Sequence, residues 1–532
     1  MTHSTAGFRS VRTRAMLLGS SVMALAAFTA PAVAQQNQVA TETVTVTGYA
    51  ASLVQATDAK RASTNFTDTI FAEDIGKFPD TNIAESLNRI PGVNISREID
   101  GEGVNVQIRG LGTNFTKITL NGAQVSVAST GATDQSNNNR EVDLNMFPTE
   151  LFTQLTVSKS AQADQIEGGA AGVVNMRSAR PFDYKDDGFH VTYTFQGSDY
   201  EQADSLGERG AIIARDTWGD FGVLFGVAGV HNNVFTKGWE DGNGGWVTPG
   251  ALTAAQCGAG NTCDQIGGNA FVIPATVPVG VTTGGITPGQ TVDNVLLTQL
   301  NPGLTTAQIS NALIPRLGRS MYERGSRDRY NAVFSMEWRP TDALHFYFDS
   351  VFGRTFNDMD RSDIDWGVRA GAGSQPMIPE NLQMNSSGVV TSGTFANAQL
   401  FLEARPYKEK GDFFSINPGA SWQINELMHV DFQLNASRSH FFRDSPTFLL
   451  VTCPSTPNAA GTPGCSAPNG GAVVNFSNPA GAPYPSITSN FDYNNPANFQ
   501  WATGRVNLQD EKRYSYTNGA HLDYTWGGDE LA

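Results

Sequence analysis

The sequence predicts an all-β membrane protein: an antiparallel transmembrane β-barrel, present only in part, behind a small α+β N-terminal domain. Three observations carry this. Stretches after Pro181 alternate apolar and polar residues with a period of two. Short turns between them alternate with very long loops. No run of 18 apolar residues offers a helical span, which leaves strands as the means of crossing a bilayer.

The chain opens with an export signal over residues 1–34. Arg9, Arg12 and Arg14 precede the apolar run Ala15–Ala30, and Ala32-Val33-Ala34 has the small-x-small cleavage pattern. Residues 35–64 are small and polar and read as a flexible linker around one β-branched alternation, ETVTVTG. These residues (Glu42, Thr43, Val44, Thr45, Val46, Thr47 and Gly48) suit a pleated strand that has no neighbouring sheet. Residues 65–180 form the mixed domain. A helix opens at Pro79-Asp80-Thr81, sets Ile83, Leu87 and Ile90 on one face and stops at Pro91-Gly92. Strand-like pieces follow at 104–110, 117–122 and 151–160, with Asn121-Gly122 as a turn signal. EGGAAGVVNM, residues 167–176, closes the domain.

From 181 to 532 the grammar is that of membrane strands, for which ~9–11 tilted residues suffice. Tyr330, Ala332, Phe334, Met336 and Trp338 alternate with Asn331, Ser335 and Glu337. Val430, Phe432, Leu434 and Ala436 oppose Asp431, Gln433, Asn435 and Ser437 in the same way. About eight strands are expected, near 188–197, 207–216, 219–232, 328–339, 342–356, 411–424, 427–442 and 511–526. Tight turns join some of them, and loops of roughly fifty to a hundred residues join the others, far beyond the usual connection. That asymmetry is the habit of outer-membrane barrels, and a soluble sandwich has no reason to show it.

A net charge of −16 argues against nucleic acid, which needs clustered Lys and Arg. The four cysteines fall in two close pairs, Cys257 with Cys263 and Cys453 with Cys465, and read as two local disulfides of an oxidising compartment. No histidine lies near either pair, so neither is read as a metal site. The seven histidines are scattered, and neither HExxH nor a phosphate loop with Lys occurs, so an enzyme is not expected and no cofactor is implied.

The ordered series ETVTVTG, FPDTNIAESLNRIPGV, VQIRGLGTNFTKITLNG, FPTELFTQLTVSKS and IEGGAAGVVNMRSARPF, followed by barrel strands, resembles the TonB-dependent outer-membrane receptors. The resemblance implies that residues 65–180 are a plug inside a 22-stranded barrel of a Gram-negative outer membrane. It implies that Glu42–Gly48 are the box that TonB, with its inner-membrane energising complex, grips by adding a strand. The plug motifs then are Pro91, Gly92, Arg109, Gly110, Asn121, Gly122, Glu167, Gly168, Gly169, Gly172 and Asn175. Arg109 is the expected plug–barrel contact, since a lumen-facing guanidinium can fork two carboxylates, and Gly168, Gly169 and Gly172 are expected to seat the plug against the wall.

Partners would be TonB, outer-membrane lipid and a scarce or bulky solute. The wording of the motifs leans toward the oligosaccharide subgroup, with Trp239, Trp246 and Trp366 as stacking platforms in the loops. A ferric-siderophore receptor is the alternative within the family, and a passive porin or surface-binding barrel the alternative outside it. Only Gln35–Thr41 separate the cleavage site from the box, too little for a signalling domain. Eight strands of an expected 22, with no final aromatic-ended strand, suggest a C-terminally truncated barrel.

Overall fold

A strand in lipid turns its apolar residues outward and keeps its polar ones for the lumen, the reverse of a strand on a soluble core. The computed structural model shows this reversal. Tyr330, Phe334 and Trp338 are 51%, 39% and 50% exposed, while Asn331, Ser335 and Glu337 between them are 4%, 1% and 2% exposed. The structure describes residues 49–72, 82–129, 141–184, 186–200, 205–241, 245–263, 271–279, 281, 283–367, 376–452, 472–490 and 492–527.

In chain order the N-terminal domain comprises α1 (Tyr49–Ala62), β1 (Thr67–Phe71), α2 (Ile83–Asn88), β2 (Val93–Arg97), β3 (Gly103–Ile108), β4 (Thr116–Leu120), β5 (Ala123–Gln124), β6 (Phe152–Ser158) and β7 (Gly172–Ser178). Five of the strands form a mixed sheet in the order β1-β6-β7-β4-β5, and β2 and β3 form a separate hairpin. Helix α2 is capped by Asn82, whose side chain accepts from the Ala84 amide at 2.7 Å. Pro79-Asp80-Thr81, the expected opening, lies outside the described residues. Ile83, Leu87 and Ile90 are buried as their spacing requires. Residues 49–62, expected as part of a flexible linker, are instead helical: a run rich in Ala with Lys60 and Arg61 in the last turn favours helix, and Lys60 ties it to Asp68 of β1 at 2.6 Å.

The second part begins with β8 (His190–Tyr200), β9 (Ser205–Trp218) and β10 (Phe221–Asp241). A long connection carries β11 (Trp246–Val247), α3 (Ala254–Cys257), α4 (Asn294–Leu300), α5 (Thr306–Ser310) and β12 (Ile314–Pro315). Then come β13 (Leu317–Thr341) and β14 (Leu344–Gly367), β15 (Ile378–Met384) and β16 (Val390–Ala398), and β17 (Leu400–Asn425) and β18 (Met428–Thr452). The last are β19 (Ala472–Ser477), β20 (Ser486–Ser489) and β21 (Phe499–Trp526). Eight long strands form one antiparallel sheet ordered β21-β18-β17-β14-β13-β10-β9-β8. This is part of a barrel: β8 and β21 are its edges, unpaired with each other. Strands β13, β14, β17 and β18 run for 24 to 26 residues, well past the apolar belt.

The described parts of the long connections, at the end of the sheet opposite its tight turns, are folded rather than irregular. Strands β15, β16, β19 and β20 form a small sheet, and with the helices they enclose a separate hydrophobic core that includes Leu297, Ile309, Trp366, Phe395 and Phe476. The N-terminal domain shares its core with the large sheet. Met146, Phe147 and Leu151 pack with Ala211, Leu224, Val333, Val351 and Phe413 of the wall, and the Phe147 and Phe413 rings meet edge to face at 5.1 Å.

Candidate functional site: the interface of the inner domain with the wall

Inward-pointing side chains of the wall hold the inner domain largely by its backbone. Asn331 donates to the Met146 carbonyl at 2.8 Å, Asn417 to Leu120 at 3.1 Å, Gln433 to Asn121 at 2.8 Å and Arg513 to Ser129 at 2.6 Å. Each is a polar residue at a lumen-facing position of its strand, and each satisfies a carbonyl otherwise buried.

Three ionic contacts add to these. Arg209 of β9 grips the buried Glu150, with Nε at 2.6 Å. Arg327 of β13 reaches Asp100 at 2.9 Å and Glu102 at 3.1 Å, and Arg329 also pairs with Glu102. At the far end, Arg180 forks Asp349 of β14 at 2.6–3.2 Å, while Glu337 accepts from the Phe182 amide at 2.8 Å. Arg109 takes no part. It sits exposed at positive φ (55°), its amide bonded to the Gly92 carbonyl at 2.7 Å, so with Pro91, Gly92 and Gly110 it shapes the base of the β2–β3 hairpin. The expectation for Arg109 is therefore corrected. In the contacts with Glu150, Asp100 and Glu102 the guanidiniums belong to the wall and the carboxylates to the inner domain, because β9 and β13 turn Arg209, Arg327 and Arg329 inward.

Asn121 and Gly122 both have positive φ (52° and 83°), and the Asn175 side-chain Oδ1 accepts from the Gly122 amide at 2.9 Å, which fixes that turn. Gly169 and Gly172 are needed by the inner domain itself. A Cβ on Gly169 would lie 2.5 Å from the Gly172 carbonyl, and one on Gly172 2.7 Å from the Ser158 carbonyl. Gly168 faces Lys117, whose ammonium bonds the Glu167 carbonyl. These glycines seat strand on strand within the domain, not the domain on the wall.

Cys257 and Cys263 are joined in a disulfide, with Cα atoms 5.9 Å apart. Cys453, Cys465 and the segment Glu42–Gly48 lie outside the described residues. The three tryptophans are not gathered on one surface. Trp366 is completely buried against Phe395 at 4.6 Å and Phe476 at 5.7 Å, so it offers no face to a ligand. Trp246 packs edge-on to Phe476, and Trp239 is half-buried at the end of β10.

The sequence reading missed a small chamber, a cavity of about 60 Å³, between the tip of the β2–β3 hairpin and the wall. Its polar lining includes Glu98, Glu102 and Asp143 from the inner domain and Glu323, Arg327, Arg329, Tyr407 and Glu409 from the wall. Burial pushes the Glu98 carboxyl up to about 8, against the pull of Arg327, and that of Asp143 up to about 6, against the hydrogen bond from the Asn145 amide. Burial would raise Glu102 too, but Arg329 and Arg327 outweigh it and hold that carboxyl below its usual range. The signal for the chamber was present in two phrases, REIDGEG at 97–103 and MYERGSRDR at 321–329, whose odd positions Glu323, Arg327 and Arg329 continue the lumen-facing phase of β13.

The fold thus defines a class: a membrane β-barrel, here in part, whose lumen is occupied by a folded plug. Residues 59–174 match the TonB-dependent Receptor Plug Domain. The inner domain is therefore similar to the plug of a TonB-dependent receptor, and it lies against an eight-stranded antiparallel sheet that is part of a barrel. No curated protein matches it. Among solved structures it is similar to the ferric enterobactin receptor PfeA of Pseudomonas aeruginosa, in a mutant bound to enterobactin (12% identity, 78% of this chain and 57% of that one, TM-score 0.32). It is also similar to the copper transporter OprC (10%, 87% and 60%, TM-score 0.34) and the ferric citrate transporter FecA (10%, 88% and 61%, TM-score 0.29). The chain spans about three-fifths of the length of these structures.

Proposed function

We propose that the protein serves as an outer-membrane receptor for TonB-energised uptake of a bulky or scarce solute. The observation that carries this reading is the plug held by its carbonyls and carboxylates on the polar face of a sheet whose other face is apolar and exposed. Such a seat closes the lumen at rest, yet consists of hydrogen bonds and ion pairs that a pulling force can exchange for water. Glu42–Gly48 is the segment TonB would grip, by backbone hydrogen bonds along an added strand.

Of the two cargo classes, an oligosaccharide suits the charge of the chamber better than an anionic ferric chelate. The arginines there pair with carboxylates, and the lining holds five carboxylates against three guanidiniums. Aromatic stacking by Trp366 is no part of this reading, since that ring is sealed in the loop core.

The test is uptake by a strain whose only copy carries Val44→Pro and Val46→Pro, which remove two ladder donors from the segment. Uptake of labelled oligosaccharide should stop while surface binding persists. Undiminished uptake in that strain, or loss confined to ferric chelates, would refute the respective parts of the proposal.

A further inference from the structure

The chamber above the plug is short of positive charge. Its lining holds five carboxylates (Glu98, Glu102, Asp143, Glu323 and Glu409) and three guanidiniums, a difference of two negative charges when all are ionised. The guanidiniums are largely committed, with only Arg327 Nε among their buried donors left without a partner among the described residues. Arg327 bonds Asp100 and Glu102, Arg329 pairs with Glu102, and Arg361 lies against Asp363 at 3.0 Å and pairs with Glu240.

What they leave is specific. Glu323 is 1% exposed; its Oε1 accepts from the Tyr407 hydroxyl at 3.1 Å, and its Oε2 is buried with no hydrogen-bond partner among the described residues. Glu98, at the hairpin tip, lines the same cavity. A buried carboxylate oxygen without a donor, as at Glu323, is costly.

We propose that this chamber binds a protonated amine of a cationic solute, such as an amino-sugar oligomer, with Glu98 of the plug and Glu323 of the wall as the receiving carboxylates. The solute's role as cargo rests on the uptake reading above; the binding itself does not. A hydroxyl could satisfy either oxygen, but only a cation also neutralises the surplus charge, and an anionic chelate would meet repulsion. The high proton affinity of Glu98 agrees with a group that holds a proton when no other positive partner is present. One of these carboxylates belongs to the plug and the other to the wall.

The experiment is calorimetric titration of the detergent-solubilised protein with glucosamine trimer, N-acetylglucosamine trimer and ferric citrate as probes. Glucosamine trimer should bind, at least tenfold more tightly than its N-acetylated form, and ferric citrate should not. Glu98→Gln and Glu323→Gln should each weaken the amine at least tenfold, with hydrogen exchange of the β2–β3 hairpin confirming that the plug stays seated. No binding of glucosamine trimer, equal affinity for the acetylated probe, binding of ferric citrate, or unchanged affinity in the double variant with a seated plug would each overturn the assignment. Amine binding without uptake refutes the receptor reading alone, and uptake without amine binding refutes the chamber assignment alone.

Discussion

Replacing Glu102 with Ala should loosen the plug's upper contact without unfolding the barrel. Glu102 is 18% exposed by side chain and pairs with Arg327 (9%) and Arg329 (6%) of β13. Removing one member of a buried pair costs ~3–5 kcal/mol, mostly because the remaining charge is stranded. Among the described residues, Arg327 would keep Asp100 at 2.9 Å, but Arg329 would retain only the Asn145 carbonyl at 3.4 Å. The low end, about 3 kcal/mol, therefore applies. That is on the order of a hundredfold in the equilibrium between seated and unseated hairpin. Amide hydrogen exchange resolves it: β2 and β3 should exchange on the order of a hundredfold faster at fixed pH, while β13 and β14 hold their rates. Glu102→Gln, which still accepts hydrogen bonds, should lose less. Exchange in the hairpin unchanged within about threefold, or a rise spread evenly over the barrel strands, would refute the reasoning.

Raising the pH should weaken the same contact, because burial lifts Glu98 to about 8: the protonated form favours the seated state, and that contribution is lost as pH rises from the ordinary carboxylate range through 8. Hairpin exchange, corrected for intrinsic rates, should increase between pH 6 and 9 in the parent protein and not in Glu98→Gln. Gly169→Ala places a Cβ 2.5 Å from the Gly172 carbonyl at φ 73°, and should destabilise the plug by at least ~1 kcal/mol, read as proteolytic nicking near Glu167. Trp366→Ala should cost ~3–5 kcal/mol of loop-core stability, seen as near-ultraviolet dichroism lost on heating before the barrel melts. Cys257→Ser opens a short disulfide loop and should cost about 2 kcal/mol, confined to the same core in the same assay.

The long strands were legible wherever lipid imposes alternation, as in Tyr330–Trp338. Their upper halves were not. Beyond the belt, residues such as Arg319, Glu323 and Arg327 face a polar lumen on one side while Tyr322 and Arg324 face solvent on the other, so hydropathy no longer alternates. The loop core was hidden for a related reason: its apolar residues come from three separate connections, and a window along one of them finds too few to suggest a core. At the site, turn chemistry was readable from Asn121-Gly122, because φ is a local property. The partner of a guanidinium is not, and so Arg109 looked as well suited to the wall contact as Arg209, Arg327 or Arg329. Only the register of β9 and β13 decides which of them turns toward the plug.

The length of β17 bears on how the wall itself is held. Twenty-six residues at ~3.3 Å each, tilted by ~45°, climb about 60 Å, against an apolar band about 25 Å tall. The wall therefore stands well clear of the lipid, and its upper half is exposed to water on both faces except where the folded connections cover it. A strand that long cannot be held by lipid alone, so the polar pairs of its lumen-facing side and the loop core above are what keep the emergent half in register.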